Sequence, residues 1–354
     1  MKYIITGDKY MVRAYKYIKD NKIIYKISVI GIICMMLISL VLFIPDKEDV
    51  KTVAIDGITP DYLLYFPANN KLYNGNDMDK GTWTEVDASS LNITCEGLDA
   101  NGDYVLRFNG VDFKTTDFIG LGIYDYSGET TNVKIILEGK NRIETLDSNK
   151  YKGNEQRAIV NWQGSLTFEG DGTLEAVAKG HSGVAISSCD YVYINGGNIY
   201  TYGGTRGDAA GIRADDGVSI TGGYVYANTY SSNSWTGGIE TTNGNNGETV
   251  SITGGKVDVD IAGDKVVTEN TTADDVHAIG CVGIEAGKVI IENSEVNVNM
   301  KGMHKVGIGA KEGSEDNGVY IQNNAKVSIN GDVCRGEVSG NYDDSIGIYA
   351  KKVL

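Results

Sequence analysis

The sequence predicts an all-β protein, a right-handed parallel β-helix with three short strands per turn, preceded by one N-terminal transmembrane helix. Three observations predict this fold. The segment VSITGG occurs twice, at 218–223 and 250–255, within a longer series of related units. Apolar and polar residues alternate strictly in these units, which is the pattern of strands with one face in water. Glycine occurs 46 times and proline only 3 times, which favours many tight turns between strands.

Each repeat unit contains an apolar anchor residue before a Gly-Gly turn or its equivalent. In most units a strand of the type Gly-Ile-x-Ala precedes the anchor, and an alternating apolar strand follows the turn. Three short strands per unit predict a solenoid whose turns stack and place their inward side chains in columns. A β-propeller is the alternative, although its blades need four strands and about 40 residues. The anchors, 26 to 39 residues apart, are Phe108, Leu137, Phe168, Ile194, Ile220, Ile252, Ile291 and Ile321.

The predicted β-helix repeats occupy residues 106–354. Residues 45–105 carry little of the repeat, and we expect them to form a linker and the N-terminal cap that covers the open edge of the first turn. The chain stops at residue 354, one strand short of the next anchor. We therefore expect it to be a truncated piece of a longer protein.

The first 44 residues predict a membrane anchor. Residues 27–44 form an uncharged apolar run of 18 residues, at the lower limit of a membrane span. Seven basic residues lie in 1–26 and three acidic residues follow within 46–49. The positive-inside rule then places residues 1–26 in the cytoplasm and the bulk of the chain outside the cell membrane. No small-residue cleavage site ends the run, which favours an uncleaved signal-anchor over a cleaved signal peptide.

Outward tyrosines form the candidate ligand-binding surface. Tyr200 and Tyr226 each follow an anchor by six residues, so we expect both to point outward from one sheet on adjacent turns. Tyr202 and Tyr224 lie close to them in the sequence, and Trp235 lies in the next loop. A flat stack of exposed rings is a surface on which sugar rings can lie. The alternative is a tyrosine ladder that only stabilises its own sheet.

The charged residues argue against two classes of function. The net charge of −15 leaves no basic field to hold phosphate groups, so we expect no nucleic-acid partner. Gly180-His181 is similar to the Gly-His pair of pectin-type hydrolases, but every Asp-Asp pair follows it rather than precedes it. We therefore expect no catalysis. Asp215 and Asp216 lie in a predicted turn, and we hypothesise that they bind Ca²⁺, a hard cation that takes several oxygen ligands; solvated loop carboxylates are the alternative.

Several repeat units resemble a known family. The strings KIILEGKNRIE (134–144), GVAISSCDYVYINGGNIYTYGG (183–204) and GIRADDGVSITGGYVYA (211–227) are similar to the Gly-rich parallel β-helix surface proteins of clostridia and other Gram-positive bacteria. These are commonly described as carbohydrate-binding domain-containing proteins. The resemblance covers roughly residues 90–354, and it implies binding of plant polysaccharides such as cellulose and pectin, with calcium in the fold. No calcium ligand of that family matches a position in this sequence.

The sequence thus predicts a cell-surface protein that binds a plant or cell-wall polysaccharide without catalysing a reaction. A structural or adhesin stalk is the alternative, in which the outward side chains only keep the rod soluble. A polysaccharide lyase or glycoside hydrolase is the third hypothesis.

Overall fold

Three long sheets contain every strand that the structure, a computed structural model, describes. The described residues are 61–75, 84–125, 128–146, 155–205, 207–232, 235–242, 248–263, 281–301, 305–311, 317–331, 345–350 and 353. Over this part of the chain the fold is all-β apart from two short 3-10 helices, Pro67–Asn69 and Ala88–Leu91. The chain visits the three sheets in turn and returns to the first after three strands. It therefore winds like a solenoid, with neighbouring turns joined by parallel strand pairing.

The first sheet carries the anchor residues and is called the anchor sheet. Its strands are β4 (Ile93–Leu98), β5 (Tyr104–Asn109), β8 (Val133–Glu138), β11 (Leu166–Gly170), β14 (Tyr191–Ile194), β17 (Gly217–Ile220), β20 (Thr249–Ile252), β23 (Lys288–Glu292) and β26 (Gly318–Gln322). The predicted column is confirmed over six turns, because the following anchors pair in register: Phe168, Ile194, Ile220, Ile252, Ile291 and Ile321.

At the N-terminal end of this column the predicted alignment is wrong by two residues. Leu137 pairs with Gly170, whereas Phe168 pairs with Ile135. Phe108 in turn pairs with Leu137. Side chains alternate between the two faces of a strand with a period of two, so the shift keeps both Phe108 and Leu137 on the inner face. Both side chains are fully buried there.

The second sheet carries the outward tyrosines and is called the tyrosine sheet. Its strands are β6 (Asp112–Thr115), β9 (Lys140–Thr145), β12 (Thr173–Ala178), β15 (Asn198–Gly203), β18 (Tyr224–Ser231), β21 (Lys256–Gly263), β24 (Glu295–Lys301) and β27 (Lys326–Gly331). Burial alternates along these strands, as in β18, where Val225 and Ala227 are buried and Tyr224 and Tyr226 are partly exposed. The apolar residues of β18 therefore face the core, and its tyrosines at 224 and 226 face outward.

The third sheet contains the Gly-Ile-x-Ala strands and is called the glycine sheet. Its strands are β1 (Leu63–Phe66), β2 (Lys71–Asn74), β3 (Thr84–Val86), β7 (Ile119–Ile123), β10 (Glu155–Asn161), β13 (Ser182–Ser188), β16 (Ala209–Ala214), β19 (Thr236–Thr241), β22 (Cys281–Ala286), β25 (Lys305–Ala310) and β28 (Ser345–Tyr349). The prediction that these motifs align is confirmed, because their isoleucines pair in register: Ile186, Ile212, Ile239, Ile284, Ile308 and Ile348.

A small residue precedes each of these isoleucines, because the packing of the core leaves no room for a larger one. A Cβ atom on Gly238 would overlap Val259 Cγ1 on the inner face of the tyrosine sheet, and one on Gly283 would overlap Val298 Cγ1. Ala185 occupies the same place in β13 and belongs to the core. Two consecutive residues thus turn toward the core at this point, and only a small first residue leaves room for the isoleucine.

Antiparallel strand pairs extend the N-terminal edges of the glycine sheet and the anchor sheet. β2 pairs with β1 and β3, and β4 pairs with β5, each in the antiparallel direction. All four of these non-repeat strands, β1 to β4, lie inside the segment predicted as the cap. The predicted membrane span at 27–44 lies outside the described residues. Among the residues that the structure does describe, no helix has the length and apolar character needed to cross a membrane.

Candidate functional site

Four tyrosines form a cluster on the outer face of the tyrosine sheet. Tyr200 and Tyr226 pair in register on β15 and β18, which confirms that they point the same way on adjacent turns. The Tyr200 ring lies 5.7 Å from the Tyr224 ring and 6.2 Å from the Tyr226 ring, and the Tyr202 ring lies 6.1 Å from the Tyr226 ring. All four side chains are partly exposed. This tyrosine cluster is the most aromatic part of the sheet's outer face.

The predicted flat stack of rings is wrong. The rings of the cluster meet edge to face, with interplanar angles of 61° to 72°. Aromatic pairs prefer this arrangement because the positive edge of one ring approaches the negative face of the next. The cluster therefore presents a mixture of ring faces and ring edges, instead of one continuous plane.

The next strand, β21, supplies carboxylates that bind the tyrosine hydroxyls. Tyr224 Oη donates to Asp258 Oδ2 at 2.8 Å, and Tyr226 Oη donates to Asp260 Oδ2 at 2.6 Å. Asn228 Nδ2 donates to Tyr226 Oη at 3.1 Å. These contacts fix the tyrosine side chains, so a ligand would meet rings that already hold one orientation.

A row of amide side chains continues from the aspartates across the following strands. Asn297 Nδ2 donates to Asp258 Oδ1 and Asn299 Nδ2 donates to Asp260 Oδ1, both at 2.7 Å. Asn330 Nδ2 donates in turn to Asn299 Oδ1 at 3.0 Å. Each amide keeps further donor or acceptor capacity, which is the chemistry that sugar hydroxyls need.

A groove of about 890 Å³ lies along this row and is called the amide groove. Its polar lining comes from the four strands β18, β21, β24 and β27. The groove begins beside the tyrosine cluster, because Asn228 and Asp260 line it and both contact the Tyr226 hydroxyl. Its lining residues with polar side chains are Asn228, Asp260, Asn299, Lys301 and Asn330.

The other predicted site residues lie elsewhere. Trp235 does not join the tyrosines; it precedes β19 of the glycine sheet, where its Nε1 donates to Glu240 Oε2 at 3.2 Å. Asp215 and Asp216 lie at the corner between β16 and β17, as the sequence predicted. The Thr242 hydroxyl donates to Asp215 Oδ1. In the described part of the chain, no group of three or more His, Cys, Asp or Glu side chains is placed to hold a metal ion.

Sequence reasoning missed the carboxylate and amide half of this face. The missed residues are Asn228, Asp258, Asp260, Asn297, Asn299 and Asn330. The signal was available, because the same count of six residues from the anchors Ile252 and Ile291 leads to Asp258 and Asn297. The segments VDVDI (257–261) and VNVNM (296–300) continue the outward row that the tyrosines begin.

Alkaline pH should weaken the tyrosine cluster. Burial, reinforced by hydrogen bonds to Asp258 and Asp260, raises the pKa of Tyr224 and Tyr226 well above the ordinary value of 10.0. The folded state therefore keeps these protons to higher pH than the unfolded state does. Their contribution to stability is fully present below about pH 10 and is lost as the pH rises further.

The measurement is the melting temperature between about pH 9 and pH 12. We expect it to fall more steeply in the natural protein than in a Tyr224→Phe/Tyr226→Phe variant, which carries no phenol proton at either position. Equal slopes for the two proteins would show that the cluster does not contribute to the alkaline loss of stability.

Comparison with known proteins gives the family. A family model described as "Carbohydrate-binding domain-containing protein" matches residues 89–346, more than half of the chain. No curated protein and no solved structure matches the chain. The matched region contains the tyrosine cluster and all residues of the amide groove. The chain belongs to the carbohydrate-binding domain-containing protein family.

Proposed function

We propose that this protein binds polysaccharide on the outer face of its tyrosine sheet, without catalysing a reaction. The observation that carries the proposal is the adjacency of the tyrosine cluster and the amide groove on one face. Tyrosine rings contact the apolar faces of sugar rings, and their hydroxyl ends tolerate water. Amides and carboxylates beside them can bind sugar hydroxyls, which both donate and accept hydrogen bonds.

The test is a binding survey of the purified full chain against cellulose, xylan, mannan, pectin and bacterial cell-wall glycans. We expect saturable binding to at least one of these polymers. Each incubation is also assayed for new reducing ends and for unsaturated sugars. New reducing ends would show a hydrolase activity and unsaturated sugars a lyase activity, and either result would contradict the proposal.

A structural stalk is the second candidate, and one observation favours it. The hydroxyls of Tyr224 and Tyr226 already donate to Asp258 and Asp260, so the cluster also stabilises its own sheet. A stalk would show no saturable binding to any glycan, and substitutions in the cluster would change only the stability of the protein.

The proposal includes an extracellular location. Residues 27–44 serve as an uncleaved membrane anchor, residues 1–26 lie in the cytoplasm, and the solenoid lies outside the cell. The supporting observations are the uncharged run of 18 residues and the basic residues that precede it. We also propose that the solenoid is a right-handed parallel β-helix, because connections between parallel strands of one sheet are right-handed in about 98% of cases.

Protease treatment of intact cells tests this topology. We expect the protease to degrade the region 46–354 and to spare a tag fused to residue 1. In permeabilised cells the same tag should be digested, which serves as the control. Protection of the large region in intact cells, followed by its loss on permeabilisation, would place the solenoid inside the cell.

A further inference from the structure

The tyrosine cluster and the amide groove lie on one row of cross-strand neighbours. Tyr202 pairs with Asn228, Asn228 with Asp260, Asp260 with Asn299, and Asn299 with Asn330. The row crosses five neighbouring strands, from β15 to β27. Since neighbouring strands lie about 4.8 Å apart, the row is roughly 19 Å long. It runs across the strands, from turn to turn of the solenoid.

The two ends of the row offer different contacts. The Tyr202 end has ring surface, with the Tyr226 ring 6.1 Å from the Tyr202 ring. The Asn330 end lies in the groove and offers amide donors and acceptors. One short sugar can occupy one end or the other, whereas a chain of several sugars is long enough to contact both.

The charges of this face disfavour an acidic chain. Lys256 Nζ lies 3.1 Å from Glu295 Oε1, and Arg142 is paired with Glu144 and Glu175, so these two positive charges on the sheet are balanced by neighbouring carboxylates. Lys301 adds one positive charge to the lining of the groove. Asp260 adds a negative charge in the middle of the row. With a net charge of −15 over the whole chain, the field repels a polyanion.

We infer that this face binds a single uncharged polysaccharide chain lengthwise, from turn to turn, with sugar rings on the tyrosine cluster and hydroxyls in the amide groove. The inference rests on the proposed function and specifies its ligand. A chain that is already bound at the tyrosine cluster makes its contacts in the amide groove without a second loss of translational freedom, so these contacts add to the affinity. Affinity therefore rises with chain length until the chain spans the row, and it is constant beyond that length.

The experiment is calorimetric titration of the full chain with cello-, xylo- and manno-oligosaccharides of two to eight sugars. For the series that binds, we expect affinity to rise at least tenfold from the disaccharide to a plateau. Asn299→Ala removes a groove contact three turns away from Tyr200. This change should lower the affinity for the longest oligosaccharide at least tenfold and the affinity for the disaccharide less than twofold. Ser251→Ala, a partly exposed position on the anchor sheet, is the matched control and should change neither affinity.

The outcomes separate the inference from the proposed function. Equal affinity for short and long chains, or an equal loss for both in Asn299→Ala, overturns lengthwise binding while polysaccharide binding itself stands. Tighter binding of oligogalacturonate than of every uncharged series overturns the uncharged ligand. Absence of binding to every oligosaccharide and polymer removes the proposed function and the inference together.

Discussion

Replacing Tyr200 and Tyr226 together by alanine should lower the affinity for polysaccharide more than tenfold and leave the solenoid folded. Each ring that stacks on a sugar contributes on the order of 1 kcal/mol, so the loss of both corresponds to roughly a thirtyfold weaker complex. The variant also loses ring contacts and the Tyr226 hydrogen bond to Asp260. Cross-strand pairs and hydrogen bonds of this kind contribute about 1 kcal/mol each to the free energy of unfolding, so the melting temperature should fall by only a few degrees.

Two matched variants make this result interpretable. Ser219→Ala removes a partly exposed outward side chain of β17, on the anchor sheet, and should change neither binding nor melting temperature. Tyr226→Phe keeps the ring and removes only the hydroxyl, so most of the affinity should remain. Unchanged binding in the double alanine variant, together with a lower melting temperature, would mean that the cluster serves only as a structural ladder.

Placing a carboxylate in the central column should unfold the protein. Ile220 is fully buried and pairs with Ile194 on one side and Ile252 on the other. In the Ile220→Asp variant, the carboxylate lies among apolar side chains with no cation to pair with it, which costs several kcal/mol. Loss of the buried isoleucine side chain lowers the free energy of unfolding by about 2–5 kcal/mol more. The sum approaches the total stability of an ordinary domain, about 5–15 kcal/mol.

Circular dichroism and limited proteolysis of the full chain measure this effect. We expect loss of the β signal and rapid digestion of the solenoid, because each turn depends on contacts with its neighbours. Ser219→Asp introduces the same carboxylate one residue earlier, on the outward side of β17, and should leave the fold intact. A folded Ile220→Asp protein with the natural melting temperature would contradict the inward register at this position.

The strands and their inward faces could be predicted because they depend on local chemistry. Alternation in a segment such as VSITGGYVYA identifies Val218, Ile220 and Val225 as inward residues whatever the rest of the chain does. Each Gly-Gly turn marks a corner for a local reason as well, since Gly223 has a φ of 76°, which disfavours residues with a Cβ. A repeat multiplies these local signals, so the solenoid could be recognised without any knowledge of long-range contacts.

The composition of the site depended on contacts between turns. Trp235 is only nine residues from Tyr226, yet it lies immediately before β19 of the glycine sheet, whereas Tyr226 lies on β18 of the tyrosine sheet. Asp260 is 34 residues from Tyr226, yet its carboxylate accepts the tyrosine hydrogen bond. Proximity in the sequence was therefore a poor guide to which outward residues share a face.

The sequence by itself determined the all-β class, the three strands per turn and the outward direction of Tyr200 and Tyr226. Only the tertiary structure decided that the rings meet edge to face, that Leu137 aligns with Gly170, and that aspartates and asparagines complete the tyrosine face. The physical reason is the range of the interactions. The direction of a side chain follows from the alternation within one strand, whereas its neighbours follow from the register between turns, which the lengths of the intervening loops and the packing of the whole core fix together.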